Sequence, residues 1–488
     1  MAETALVDRK RVGIAYWMQE VLDQCDRVAA DFGADPVHDL RTALRRCRSM
    51  ADSIRVVDSD NRWKKMKKAG RELFRNLGDL RDTHVMLEWV QKLAPANDPV
   101  GKALGEHLTS REQTLKNTAL AALHQFDRRQ WKSWAAALPE RAARIPIDSP
   151  VFVHLAVERW GEAYELHHRA LRNRSGRAFH QLRIGLKRFR YTVENFLPRL
   201  EEICGQDLKQ LQRLLGDVHD FDVLWQMTTS IKPFPNAASR SWWRARLRQE
   251  RQERLKEYRQ KMTGRNSAWV IWRAALPPPE ELRSIALERL QIWASFLDPA
   301  IEHAEHVARL ALELYDGLPA EGILRQPKQK NYRDILEAAA LMHDVGLAKT
   351  SKGHHKASAR MIRKLSPPLG WAGDEMSLAA TVARYHRGAL PREKQPRFRA
   401  LAQGKRHAVK ILGGILRFAC ACDRQHNSRI QRLEVDSTAP VLRIRAEGYS
   451  EYTSLSERLA AARHLLELAC NCPVVILPWG AENQARAA

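Results

Sequence analysis

VHDLRTALRRCR, residues 37–48, sets a histidine at the head of a row of arginines. His38, Arg41, Arg45 and Arg48 fall at i, i+3, i+7 and i+10, which on an α-helix is a single stripe. Like charges at helical spacing cost about 0.2–0.5 kcal/mol per pair, so the stripe works against folding unless something anionic answers it. The same spacing recurs in FHQLRIGLKRFRYTVENF, residues 179–196, as His180, Arg183, Lys187 and Arg190. Each copy is followed by a matching segment, LGDLRDTHVML from Leu77 and LGDVHDFDVLW from Leu215, in which Gly78 aligns with Gly216 and Asp82 with Asp220. A repeat of this kind, about 30–90 and 172–228, predicts two similar helical halves facing one another.

The rest of the chain agrees with a polyanionic partner. Its 81 Lys+Arg against 57 Asp+Glu leave +24 over 488 residues, a balance suited to inorganic polyphosphate, nucleic acid or an acidic membrane face. No run of eighteen apolar residues occurs, and MAETALVDRK lacks the pattern of a secretory signal, so a cytoplasmic protein is expected. Seven cysteines with no CxxC argue against a disulfide framework or a zinc knuckle, and the two CxC pairs read as small hydrophobes.

The periodicity is helical to about Lys261, and Pro277, Pro278 and Pro279 then break it. This predicts a first domain over 1–268, a Pro-rich linker over 269–281 and a second domain over 282–482. Trp242 to Arg265 reads as a long basic amphipathic helix, whose Arg and Glu could lace one another or bind a partner.

The doubled signature HxxRxxxRRxR with LGxxRD, then HxxRxxxKRxRY with LGxxxD, resembles the CHAD family. The resemblance implies a mainly α protein whose first domain is a two-lobed, pseudo-symmetric helical bundle, with basic stripes lining a surface that binds inorganic polyphosphate. It carries over to His38, Arg41, Arg45, Arg48, His180, Arg183, Lys187, Arg190 and Tyr191, with Arg46 and Arg188 in the motif but off the main stripe. Lys64, Lys68, Arg71 and Arg75, again at helical spacing, could widen the track. Two facing stripes, each about 15 Å long at 1.5 Å per residue, suit a linear polyanion. Nucleic acid competes as a partner, but the stripes lack interleaved stacking aromatics and no RNA- or DNA-binding signature appears.

Beyond the prolines, His303, His343 with Asp344, and His386 each lie on the apolar side of their own helical pattern. The order H…HD with further histidines resembles the HD superfamily of metal-dependent phosphohydrolases. HVARLALELYDGL, LEAAALMHDVG, KGHHKASARMI and ARYHRG resemble more narrowly the helical domain that follows the catalytic lobes of exopolyphosphatase/guanosine pentaphosphatase proteins. Those lobes have no counterpart here. The resemblance implies an α-helical HD-type domain with a short C-terminal strand region. It also implies a metal set of His303, His343, Asp344, His355 and His386, with His343 and Asp344 catalytic if the site is active. A divalent Mg, Mn or Fe ion is the implied cofactor.

At the closing aspartate of that set ILRFACACDRQH places Cys420, with Asp423 three residues on. Lys349, Lys352, Lys356, Arg384 and Arg387 surround the histidines in sequence and could hold phosphate with or without a metal. Lys352-Gly353-His354 is the expected close-approach loop. Three readings follow: a bacterial, cytoplasmic polyphosphate-binding protein; a metal-dependent phosphohydrolase of polyphosphate, guanosine polyphosphate or other nucleotides; or an adaptor associated with polyphosphate granules.

Overall fold

The computed structural model describes residues 13–318, 331–436 and 441–480, and the chain divides into two compact units, Met1–Pro279 and Glu280–Ala488. The MAETALVDRK stretch lies outside the described residues. The protein is mainly α, with one small sheet among the described residues, and no described helix is long and apolar enough to cross a membrane.

In the first unit the repeat becomes paired helices. The opening half comprises α1 (Ile14–Ala30), α2 (Ala34–Ile54), α3 (Asn61–Asn76), α4 (Gly78–Leu93), α5 (Pro99–Gln125) and α6 (Arg128–Ala143). The closing half comprises α7 (Pro150–Asn173), α8 (Gly176–Phe196), α9 (Pro198–Ile231), α10 (Ala237–Met262) and α11 (Ala268–Ala274). The first stripe lies on α2 and the second on α8; α1 packs on α2 as α7 packs on α8, and α4 on α5 as α9 on α10. α2 meets α8 across the repeat.

The copies differ at their second segments. Asp60 caps α3, Leu77 ends it, and α4 starts at Gly78, whereas α9 runs unbroken for 34 residues through Gly216. The halves share one core in which Met86 and Val90 of α4 meet Leu104 of α5, Phe221 and Leu224 of α9, and Trp243 of α10. Residues 269–274, expected to begin the linker, instead belong to α11, because Trp269 and Trp272 are buried. The basic helix is α10. Its Arg251 and Arg254 pair with Asp222 and Asp217 of α9, so much of its charge laces the bundle together.

The second unit holds α12 (Leu282–Ser295), α13 (Ile301–Gly317), α14 (Tyr332–Leu341), α15 (His354–Ile362), α16 (Gly373–Tyr385), α17 (Pro396–Arg399), α18 (Gln403–Cys422) and α19 (Ser454–Cys470). Its strands β1 (Leu433–Asp436), β2 (Leu442–Ala446) and β3 (Val474–Pro478) form a sheet in order β1-β2-β3, antiparallel then parallel. The parallel pair is bridged by α19, which packs against α18. α14 and α18 each pack on α13 and α16 and on one another, which brings the histidine-bearing segments together.

Candidate functional site

Two sites arise, one in each unit. On α2 and α8 the stripes come together through their middles. Arg45 lies 5.8 Å over the ring of buried Tyr191, and Arg190 sits 5.7 Å from the same ring. Arg41 donates to the Phe74 carbonyl at 2.7 Å and stacks on the Phe74 ring at 4.0 Å. Burial, reinforced by Arg45, Arg183, Arg41 and Arg190, lowers the Lys187 ammonium to about 6. Burial also raises Asp82 and Asp220, the latter to about 6, even though Arg41 and Arg183 oppose this. The two aligned aspartates thus stand behind the central arginines of both copies.

The ends of the stripes behave differently. His38 is exposed, and burial of its inner edge together with Arg81 and Arg45 lowers it. His180 packs 4.7 Å from His219, a residue not singled out in the sequence, and burial lowers His219 to about 4. Arg190 forks to Glu194 at 2.5 Å and Gln212 at 2.8 Å. Arg46 reaches the same Glu194 at 2.6 Å and Asn195 at 2.9 Å, and Arg188 pairs with Glu162 at 2.8 Å. Glu194, also unforeseen, therefore clamps one arginine from each copy.

A cavity of about 680 Å³ opens between α2, α3, α7 and α8. Arg45, Arg48, Lys67, Arg159, Lys187 and Arg188 line it against Asp52, Glu158 and Glu162, six cations to three carboxylates. From α3 it is Lys67, paired with Asp52, that faces the cavity. Lys64, Lys68, Arg71 and Arg75 stand on the exposed outer face, because Trp63, Met66, Gly70 and Leu73 take the buried one.

In the second unit the side chains converge on a gap. His343 is fully buried and its Nδ1 donates to the Ala340 carbonyl at 2.6 Å. His386 does the same to Ala383 at 2.8 Å, and His354 to Ser351 at 3.1 Å. His303 donates Nδ1 to Asp423 at 2.7 Å. A carbonyl or carboxylate can only accept, so each imidazole carries a proton on Nδ1 and turns its Nε2 inward. His354 and His386 bring these Nε2 atoms to 3.2 Å of each other. Asp344 Oδ1 lies 3.2 Å from His354 Nε2 and 3.5 Å from His386 Nε2.

The nitrogen of His343 that faces the gap makes no hydrogen bond of normal geometry, although Cys420 lies against it and Asp344 is 3.6 Å away. Burial alone would lower His343, but Asp344 and Cys420 outweigh it and push it up to about 10. Burial alone would raise Asp344, but His343 and His354 outweigh it and hold the carboxyl well below the usual carboxylate range. Among the described residues, two trios have ligand atoms mutually within 4.8 Å: His303, His343 and Cys420, and His343, Asp344 and His386.

Several expectations are corrected here. His354, not its neighbour His355, joins the cluster. The reason is helical phase: His354, Ser358 and Ile362 form the buried face of α15, while burial beside Arg384 lowers His355 to about 4 outside it. Gly346 admits this approach, since a Cβ there would stand 2.3 Å from the His354 carbonyl. Gly353 takes a left-handed φ of +76° where α15 begins. Cys420 is no inert hydrophobe but part of the site, and Asp423 backs His303 from behind.

Above the cluster lies a pocket of about 610 Å³ whose cations are Arg387, Arg417, Arg424 and Arg458. Lys349, Lys352, Lys356 and Arg384 are not among its lining residues; the three lysines stand exposed, and Arg384 lies 5.6 Å over the Tyr385 ring. Arg417, Cys420 and Arg424 share helical spacing, a signal available in the sequence; Arg458 comes from α19, beyond the first two strands.

The described residues thus form a mainly α-helical molecule in two units, each with a cluster of basic or metal-ligating side chains. The family model for the CHAD domain matches residues 16–229, and the model described as Ppx/GppA phosphatase, domain III matches residues 286–457. The chain joins a CHAD domain to a C-terminal Ppx/GppA-like domain. These matches fit a polyphosphate-related phosphatase or binder.

Proposed function

We propose that the protein binds inorganic polyphosphate along α2 and α8, and that the second unit holds a divalent metal at which a phosphoanhydride or phosphoester bond is hydrolysed. The observation that carries the first half is the convergence of Arg45 and Lys187 on one crowded basic cavity, where burial and then the neighbouring arginines lower the lysine to about 6. Such crowding favours a ligand that brings many negative charges close together, and Arg forks onto paired phosphate oxygens. The aromatics that line the cavity offer no open platform for bases: Arg41 covers the Phe74 ring, and Tyr191 is buried beneath arginines. On this reading the protein works in the cytoplasm, on granules where the polymer collects.

The inward Nε2 atoms of four histidines support the second half. They fit a metal because each ring is anchored through its outer nitrogen, the arrangement that orients imidazole ligands. His303, His343 and Cys420, with Asp344 and His386 beside them, would hold the ion, which supplies Lewis-acid polarisation of a phosphoryl group when bound. Arg387, Arg417, Arg424 and Arg458 orient substrate phosphates over the cluster, and Asp423 fixes the His303 ring.

Retention of long-chain polyphosphate by the purified chain tests the binding half. Double-stranded DNA is expected not to displace it at equal phosphate concentration, and displacement would sink the reading. Phosphate release from polyphosphate, guanosine polyphosphates and nucleotides tests the second half. No bound metal and no release from any of them, alongside intact binding, would reduce the protein to a binder.

A further inference from the structure

The chain departs from an HD-type ligand set at Cys420, and that departure bears on which metal the cluster takes. We propose that the site holds one thiophilic ion of the zinc class, ligated by His303, His343 and Cys420, with its fourth position open to the basic pocket. The inference rests on the metal-holding half of the preceding reading and is independent of polyphosphate capture.

Three observations carry it. First, the ligand atoms of His303, His343 and Cys420 lie within 4.8 Å of one another. A tetrahedral zinc with bonds of about 2.0–2.1 Å to nitrogen and 2.3 Å to sulfur has ligand–ligand edges of roughly 3.3–3.8 Å, so a small inward movement closes the set. Second, both histidines are already aimed: Asp423 holds His303 and the Ala340 carbonyl holds His343, each through Nδ1. The buried Nε2 of His343 lacks a proper hydrogen bond and awaits a partner.

Third, this trio contains no carboxylate oxygen, while sulfur and imidazole together favour zinc over magnesium or manganese. The other trio, His343, Asp344 and His386, also uses His343. One Nε2 lone pair binds one ion, so the trios cannot each hold their own through that nitrogen. His343 is therefore assigned to the ion held with Cys420, and Asp344 stands at the edge of that trio, against His354 and His386. Three protein ligands with a fourth position facing a cavity is the pattern of a catalytic zinc, whereas structural sites close with four. Cys420 and His303 both line that cavity.

The test uses the full chain purified without chelator. Elemental analysis is expected to find about one zinc per chain retained through gel filtration. Replacement by Co²⁺ is expected to give a thiolate-to-cobalt charge-transfer band in the near ultraviolet. Cys420→Ser should abolish that band and weaken zinc retention by more than about tenfold, Cys420→Asp should shift preference toward Mn²⁺, and Cys472→Ser should change neither. A wild-type protein that takes only Mg²⁺ or Mn²⁺, takes no metal, or binds Co²⁺ without the band would overturn the proposal, as would a folded Cys420→Ser protein with unaltered zinc. The wild-type band decides even if a variant fails to fold. Polyphosphate retention on the same preparations reports separately: its absence would remove the binding reading and leave the metal result standing.

Discussion

Lys187, half-buried, and His343, fully buried, are both basic groups, and their surroundings push them in opposite directions. Lys187 falls to about 6 because burial and four arginines oppose its charge; His343 rises to about 10 because Asp344 and Cys420 overcome its burial. The first unit has gathered positive charge that an anion would satisfy. The second has gathered lone pairs and a carboxylate that a cation would satisfy. One fold principle, helices pressing titratable faces together, thus prepares two different binding partners in one chain.

The sharpest way to break the comparison is His343→Ala. It removes a ligand shared by both trios, so metal retention and any metal-dependent phosphate release are expected to vanish while polyphosphate retention stays at the wild-type level. A loss of polyphosphate binding in this variant would mean that the two sites are not separate functions.

Next in size is the reciprocal change. Replacing Arg45, Arg183 and Lys187 by Ala removes charge-assisted contacts worth about 1.5–3 kcal/mol each, so polyphosphate affinity should fall well over tenfold at fixed ionic strength. The dependence of log K on log salt should flatten by about 0.7 per lost contact if the polymer behaves like single-stranded nucleic acid. Metal content should not change.

These variants separate what the sequence made legible from what it concealed. The stripe was readable because one helix carries it, and the repeat because the same spacing occurs twice. The inward histidines His303, His343 and His386 were readable from their apolar neighbours. His354 was misassigned to His355 because a His-His pair gives no direction by itself, although Ser358 and Ile362 set the phase. Lys64 and Lys68 were placed on the track for the same reason, when Trp63 and Met66 decide that Lys67 faces inward. Glu194 and Arg458 were invisible because their importance comes from packing between helices distant in sequence, which no periodicity encodes.

A smaller effect tests Lys187 through pH. Bound phosphate raises its pKa above the free value of about 6, so binding takes up a proton between those two values. Affinity should therefore be fullest below pH 6 and fall as pH rises toward the bound-state pKa, by at most about tenfold per pH unit for one proton. Calorimetry at pH 7.5 in two buffers of different ionisation heat would measure the uptake. Lys187→Arg should bind without it, and an unchanged proton count in that variant would move the effect elsewhere.

The subtlest prediction asks whether Arg190 belongs to the track or to the scaffold. Glu194 holds Arg190 at 2.5 Å and Arg46 at 2.6 Å, with its own side chain 2% exposed and theirs 18% and 17%. Breaking a buried pair from one side costs about 3–5 kcal/mol; because both arginines retain some solvent, Glu194→Gln should cost nearer 2–3 kcal/mol. The first unit's melting temperature should drop by several degrees. The same change frees two guanidinium groups beside the cavity, so polyphosphate affinity should rise a few-fold and the polymer should restore part of the lost stability. Lower stability with unchanged affinity would mean that Arg190, despite standing in register with Arg48, serves to join the two copies and leaves the polymer to Arg41, Arg45, Arg183 and Lys187.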